Sequence, residues 1–338
     1  MTVAEIVDDV RERGDAAVRE WALRLDGVEP ARAEPAGDLP EEAILALADR
    51  VRRWHEAQRP ADVRMEVEPG VELERRWTPL ASVGVYVPRG LVSTLVMCAV
   101  PAQVAGVGRI VVATPPSAAG LVAATARLLG IDEVWALGGP PAIAAFAYGT
   151  WSIARVDKIV GPGGPYVNEA KLAVSRDVAI DLPAGPSEVV VLLGRGGDRR
   201  LAELEIAAQA EHGHDAVCRI VEAGDDLEAA LAEVERIAPE HLVLLGEAEA
   251  LADRVRNAGA VFVGAWSPVP SGDLGTGANH VLPTNGWARA VGGLGLETFL
   301  KPTTVQRLTQ EGLARVRPTV EALAAVEGLP AHAEAVRR

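Results

Sequence analysis

Between residues 83 and 263 short apolar runs alternate with helix-patterned stretches, and this alternation restricts what the chain can fold into more than any other feature. Runs rich in Val and Ile at 83–87, 109–113, 133–137 and 158–160 are separated by helical patterns at 94–105, 119–129 and 142–148. A second series has runs at 188–193, 217–222, 241–245 and 260–263, separated by a helical pattern ending near 212 and two more at 226–237 and 248–257. Near-continuous apolar strands joined by helices predict parallel sheets covered on both faces. The expected fold class is therefore α/β, with two Rossmann-like parallel-sheet domains. Residues 3–25 and 41–58 read as helices joined by a Pro- and Ala-containing link, and after about 292 the pattern becomes helical again. The expected division is N-terminal helices over 1–60, a first α/β domain over 61–187, a second over 188–292, and a small helical C-terminal segment over 293–338.

With 338 residues, 49% of them hydrophobic, the chain can bury more than one core. Its 33 basic and 47 acidic residues give a net charge of −14 without a basic cluster, which speaks against nucleic acid as a partner. No window approaches the ~20 apolar residues that span a bilayer, and the start is acidic and helix-patterned where a leader would be basic and then apolar. A cytoplasmic protein is expected. Cys98 and Cys218, the two cysteines, sit in apolar stretches, which suits a reducing compartment and leaves no Cys-based metal site within one chain.

Neither series carries a Gly-x-Gly-x-x-Gly turn with an acidic residue about 20 positions on, the usual dinucleotide signature. In its place stand Gly138-Gly139-Pro140-Pro141 and Gly161-Pro162-Gly163-Gly164, both after strands. Each is either a tight turn that needs no ligand or a cradle for a phosphate. Gln209 and His212 are three apart near the end of a helical pattern, so an amide oxygen and an imidazole share one face; they either converge on a metal or cap the helix. Glu240 and His241 follow Pro239 at the mouth of a strand, where a carboxylate and an imidazole suit acid–base chemistry. Adjacent strand residues point opposite ways, so one packed and one exposed is the alternative. The loop 271–280 is rich in Gly and polar groups, with Asp273 a hard oxygen ligand and His280 a group for metal or substrate. Glu327 and His332, taken alone, are solvated tail residues, and His55 and His214 have no evident company.

The strings GVYVP, GVGRIVVATPP, VDKIVGPG, IDLPAGPSE, QAEHG, IAPEHL, SGDLGTGANHVLPT and HAEAVR, in this order and over nearly the whole chain, resemble the histidinol dehydrogenase family. The resemblance implies oxidation of L-histidinol through histidinaldehyde to L-histidine, with two NAD and a site zinc. It also implies a homodimer whose C-terminal part crosses to the partner subunit and shares the active site. It assigns Gln209, His212, Asp273 and His332 to zinc, Glu240 and His241 to catalysis, and Ser187, His280 and Glu327 to the substrate, which the zinc ligands and His241 also adjoin. Tyr86, Pro141 and Gly164 stand at the NAD positions. There the chain departs from the family: Pro141 replaces a glutamine, Gly164 an asparagine, and the turn Val87–Thr94 is shortened and carries Arg89. Weakened cofactor contacts leave two further readings, a relative that oxidises another small alcohol and a zinc protein that binds an imidazole ligand without turnover.

Overall fold

The computed structural model describes residues 2–183, 185–211, 213 and 215–337. Its strands are, in chain order, β1 (Ala31–Arg32), β2 (Val63–Glu68), β3 (Val71–Pro79), β4 (Ser82–Tyr86), β5 (Arg109–Thr114), β6 (Val134–Ala136), β7 (Lys158–Val160), β8 (Ala179–Ile180), β9 (Glu188–Leu193), β10 (Val217–Glu222), β11 (His241–Leu245), β12 (Ala260–Val263) and β13 (Leu300–Leu308). Two compact units result, Met1–Gln58 with Leu80–Phe299, and Arg59–Pro79 with Leu300–Arg338.

The larger unit contains two parallel sheets, so the α/β fold class expected from the strand–helix alternation is the one found. The first sheet has the order β1-β6-β5-β4-β7-β8 and is parallel apart from β1, which runs antiparallel to β6. From β4 the chain winds to β5 and β6 on one side and then to β7 and β8 on the other. The carboxyl ends of β4 and β7 therefore flank a topological switch point, where open sheets bind ligands. The second sheet, β10-β9-β11-β12, is parallel throughout.

Burial explains the apolar runs. All five residues of β11 and four of the five in β4 are buried, because helices cover both faces of each sheet. The helix Gly139–Tyr148 lies so close to β4 that a β-carbon at Gly84 would stand 2.6 Å from the Phe146 ring. Against that helix packs the N-terminal helix Val3–Arg13, which opens with a capping box between Thr2 and Glu5 and buries Val3, Ile6, Val7 and Val10. No helix among the described residues is long and apolar enough to cross a membrane.

The smaller unit differs from the sequence expectation. The segment after 292 is not helical throughout, since β13 pairs antiparallel with β3, which pairs in turn with β2. The hairpin 63–79, placed by position in the first α/β domain, thus forms a three-stranded sheet with a strand more than 200 residues away. The helices Gln310–Glu327 and Pro330–Ala335 follow it. In the larger unit, the stretch expected as a helix over 248–257 is a 3₁₀ segment, Gly246–Arg254.

Candidate active site

Two strand starts and one helix end meet at the amino edge of the second sheet. Glu188 opens β9, His241 opens β11, and Gln209 lies in the last turn of the helix Arg199–Ala210. The edge is unexpected, because open parallel sheets usually place ligands at the other end of their strands. Ser187, the residue just before β9, stands at this edge.

A chain of hydrogen bonds runs across this edge. Gln209 Nε2 donates to Ser187 Oγ at 2.6 Å, and Ser187 Oγ donates to Glu240 Oε2 at 2.6 Å. The same carboxylate oxygen accepts from the Glu188 backbone N–H at 2.7 Å. His241 Nδ1 lies 2.9 Å from the Glu188 carbonyl oxygen, which can only accept, so Nδ1 carries the hydrogen and Nε2 holds the lone pair of the neutral ring. Glu240 and His241 are both buried, which rules out the alternative of one packed and one exposed residue. Asp273 Oδ1 stands 3.5 Å from His241 Nε2, close enough for a charge interaction and too long for a sound hydrogen bond. In accord with that distance, His241 Nε2 and Gln209 Oε1 are buried with no hydrogen-bond partner among the described residues.

Electrostatics follow from this packing. Burial pushes the Glu240 carboxyl above the usual carboxylate range, although the His241 charge and the bonds from Ser187 and Glu188 oppose it. For His241 burial works against protonation, but the Asp273 and Glu240 carboxylates outweigh it and hold the ring above its ordinary value. Glu205, one turn before Gln209, is also raised by burial, with a Val269 N–H at 3.0 Å opposing.

The loop after β12 and the helix that follows β4 supply the rest of the surroundings. His280 Nδ1 donates to the Asp273 carbonyl oxygen at 2.9 Å, and its Nε2 lies 3.3 Å from Thr94 Oγ1, near the start of the helix that follows β4. Ser187, Gln209, Glu240, His241, Asp273 and His280 are thereby brought together. His212 lies outside the described residues. Glu327 and His332 are exposed on the two helices of the smaller unit. Among the described residues no group of three or more His, Cys, Asp or Glu has the arrangement of a metal centre. His55, which had no evident company, is a core residue whose ring bridges the Val51 carbonyl and Asn279.

At the other candidate site, the two glycine turns separate. The amides of Gly138 and Gly139 are taken by Asp26 at 3.2 Å and by the Tyr86 hydroxyl at 3.0 Å, so this turn offers no free cradle for a phosphate. Pro141 is buried in the helix that follows. Gly164, exposed before the helix Pro165–Val174, has open space where a side chain would project. Beside both turns is an apolar cavity of about 280 Å³, lined in part by Val3, Ile6, Gly139, Gly164 and Tyr166. Arg89 is exposed in the turn after β4 with φ of 50°.

Two residues absent from the sequence reading belong here, Glu188 and Glu205. Each is a carboxylate within or at the border of an apolar element, which on paper resembles a solvated boundary residue; its signal is burial, which only the fold reveals.

Doubly wound parallel sheets with a buried carboxylate–imidazole pair at a strand edge define an α/β protein equipped for proton transfer. The histidinol dehydrogenase family model matches residues 1–227 and 220–338. A histidinol dehydrogenase of Methanosarcina mazei is 40% identical over 99% of this chain and 90% of its own length, and one of Aliivibrio fischeri is 38% identical over 99% and 88%. The crystal structure of histidinol dehydrogenase from Elizabethkingia anophelis superposes with a TM-score of 0.91 at 31% identity, covering 99% of this chain and 90% of that one. The chain belongs to the histidinol dehydrogenase family, a family of oxidoreductases that implies a place in histidine biosynthesis. An acetylating aldehyde dehydrogenase from Geobacillus thermoglucosidasius, 13% identical with a TM-score of 0.53, shares the fold alone.

Proposed function

We propose that this protein oxidises L-histidinol to L-histidine through histidinaldehyde, with zinc and NAD, as a cytoplasmic homodimer. The observation that carries the reading is the Gln209–Ser187–Glu240 chain beside His241, with two buried polar atoms left without a partner among the described residues. A buried amide oxygen without a partner costs about 1–3 kcal/mol, so Gln209 Oε1 fits a cation better than it fits an empty core. Gln209, His212, Asp273 and the partner subunit's His332 would hold zinc, a mixed N and O donor set suited to that ion. When bound, zinc supplies a centre that orients the imidazole and amine of the substrate, and NAD supplies the hydride acceptor.

The protein's own groups handle protons and position. His241 Nε2 takes the proton of the substrate hydroxyl as the C–H bond breaks, because Nδ1 is fixed as the donor to Glu188. Glu240, made more basic by burial, takes a proton from the water that adds to the aldehyde carbon and so supplies the second oxygen of the product. His241 releases its first proton to solvent before it serves again as base in the oxidation of the hydrate. Ser187 fixes the Glu240 carboxylate by donating to it while accepting from Gln209. Ser187, His280 and the partner subunit's Glu327 complete the substrate contacts.

The fit to NAD is one of space and backbone. Tyr86 already serves Gly139, Pro141 has no donor and Gly164 has no side chain, so the contacts available are the Gly161–Gly164 turn, the helix after it and the apolar cavity. Two missing hydrogen bonds, each worth about 0.5–1.5 kcal/mol, weaken the cofactor by up to about tenfold per bond without abolishing it. Arg89 offsets part of this if it meets a phosphate. The test is NADH formation from L-histidinol and NAD together with metal analysis of the purified protein. Turnover with about one zinc per chain, lost in Asp273→Ala, is expected. No turnover at millimolar NAD or NADP, with zinc and histidinol bound, would instead favour a ligand-binding protein.

A further inference from the structure

We propose that Glu188 is the positioning residue of the Glu240–His241 pair; this rests on the reading of that pair as acid and base. Every polar group of Glu188 is turned to the pair or to the loop beside it. Its backbone N–H holds the Glu240 carboxylate and its carbonyl oxygen holds His241 Nδ1. Its own carboxylate accepts from the Glu240 backbone N–H at 3.2 Å and from the Asn285 backbone N–H at 2.9 Å. One residue thereby fixes the main chain of residue 240, the side chain of residue 240, and the tautomer of residue 241.

The strand register explains why a side chain is required there. β9 and β11 run parallel with His241 opposite Val189, so the ladder begins at residue 241 and Glu240 lies just before it. The N–H of Glu240 has no strand partner and, being buried, must find another. The Glu188 carboxylate reaches back along the edge and takes that place. Glu188 is itself only 8% exposed, and none of the ion pairs among the described residues includes it. A carboxylate buried without a cation is costly to a fold, which is consistent with a role in orientation more than in stability. Its second oxygen extends the constraint to Asn285, five residues after His280, so the substrate-side loop and the pair share one anchor.

The experiment compares the full-length zinc-loaded wild type with Glu188→Gln and Glu188→Ala. A glutamine has one acceptor oxygen and sets an NH₂ group against the other backbone N–H, so one of the two bonds fails while size is kept. Expected are a loss in kcat of roughly 10- to 100-fold, a histidinol KM within about threefold, and unchanged zinc content and thermal midpoint for Glu188→Gln. The backbone bonds of Glu188 to the Glu240 carboxylate and to His241 Nδ1 survive both substitutions; what is lost is the hold on the main chain of residue 240, which carries Glu240 and leads directly into His241, so both half-reactions should fall. The second readout needs no turnover: hydrogen exchange should accelerate at both the Glu240 and Asn285 amides in Glu188→Ala and at one of the two in Glu188→Gln, while Leu242 and Val243 stay protected. Unchanged exchange at Glu240 in Glu188→Ala overturns the proposal, as does a kcat loss that merely follows loss of zinc or of thermal stability. If the wild type itself fails to oxidise histidinol, the functional reading fails, and the exchange measurement still decides whether Glu188 holds residue 240.

Discussion

At the scale of single residues, Gly161 is the position where chemistry is least negotiable. Its φ is 107°, and a β-carbon there would lie 2.2 Å from the Tyr86 carbonyl oxygen, at the switch point of the first sheet. Gly161→Ala should therefore cost more than the ~1–3 kcal/mol of backbone strain alone, read as a lowered denaturant midpoint. Glu205 makes a prediction about pH. Burial raises its folded pKa above the unfolded value, so the stability it contributes is fully present below the unfolded pKa and is lost as pH rises through the folded one. Glu205→Gln keeps the acceptor for the Val269 N–H, and in chelator-treated protein it should unfold at a higher temperature than the wild type at pH 8, with the gain shrinking toward pH 5. A gain that is the same at both pH values would show that charge is not the cause. Gln209 and the Glu240–His241 pair could be singled out from sequence as candidates by type and spacing, but each pattern has a bland alternative, and only the ordered strings of the family resemblance gave them roles. Glu188 could not, since its role depends on a strand register that no local pattern encodes.

At the scale of elements, a buried ion pair ties three segments of the first sheet together. Lys171, on the helix Pro165–Val174, pairs with Asp181, just after β8, and both side chains are within 2% of full burial. Lys171 Nζ also donates to the Gly161 carbonyl oxygen at 2.9 Å, while Asp181 accepts from the Gly161 N–H at 2.7 Å. The pair thus clamps both sides of the turn that follows β7. Lys171→Met leaves an uncompensated buried carboxylate and should cost about 3–5 kcal/mol, whereas Lys171→Met with Asp181→Asn should recover part of that loss. Equal unfolding free energies for the single and double variants would mean that the two groups do not act as a pair. The parallel strands were legible because a covered sheet demands uninterrupted apolar runs. The hairpin of β2 and β3 and the strand β13 were not: β2 does alternate Val63, Met65 and Val67 with Arg64, Glu66 and Glu68, a strand signal lying outside the strand–helix repeat, whereas β13, with Lys301-Pro302-Thr303-Thr304 in its first half, carries no such alternation. Long-range antiparallel pairing also leaves no local trace.

At the scale of the whole molecule, the smaller unit poses the problem of what completes it. It is assembled from 59–79 and 300–338, about 60 residues, and among those described only Val71, Leu300, Gly312 and Ala324 are buried. A unit of that size with so little core does not hold itself together in water. Its exposed apolar residues include Val63, Met65, Val67, Leu323 and Val326, the last 88% exposed. A second copy of the chain is the economical cover, because an isologous dimer hides the same patch twice and lets each copy lend a residue to the other. Glu327 adjoins Val326 and His332 lies six residues beyond it in this unit, so the proposed crossing of the C-terminal part would cover Val326 in the same event. The protein should run as a dimer in light scattering, and Val326→Asp should shift it toward monomer with loss of activity. Mixing Asp273→Ala with His332→Ala, each inactive alone, tests the exchange of ligands directly. If His332 acts in the partner's site, a mixed dimer contains one site with both lesions and one with neither, so a measurable part of wild-type turnover and zinc returns. Mixed dimers that stay inactive and metal-poor would place His332 in the site of its own chain, leaving the dimer to serve only as a cover.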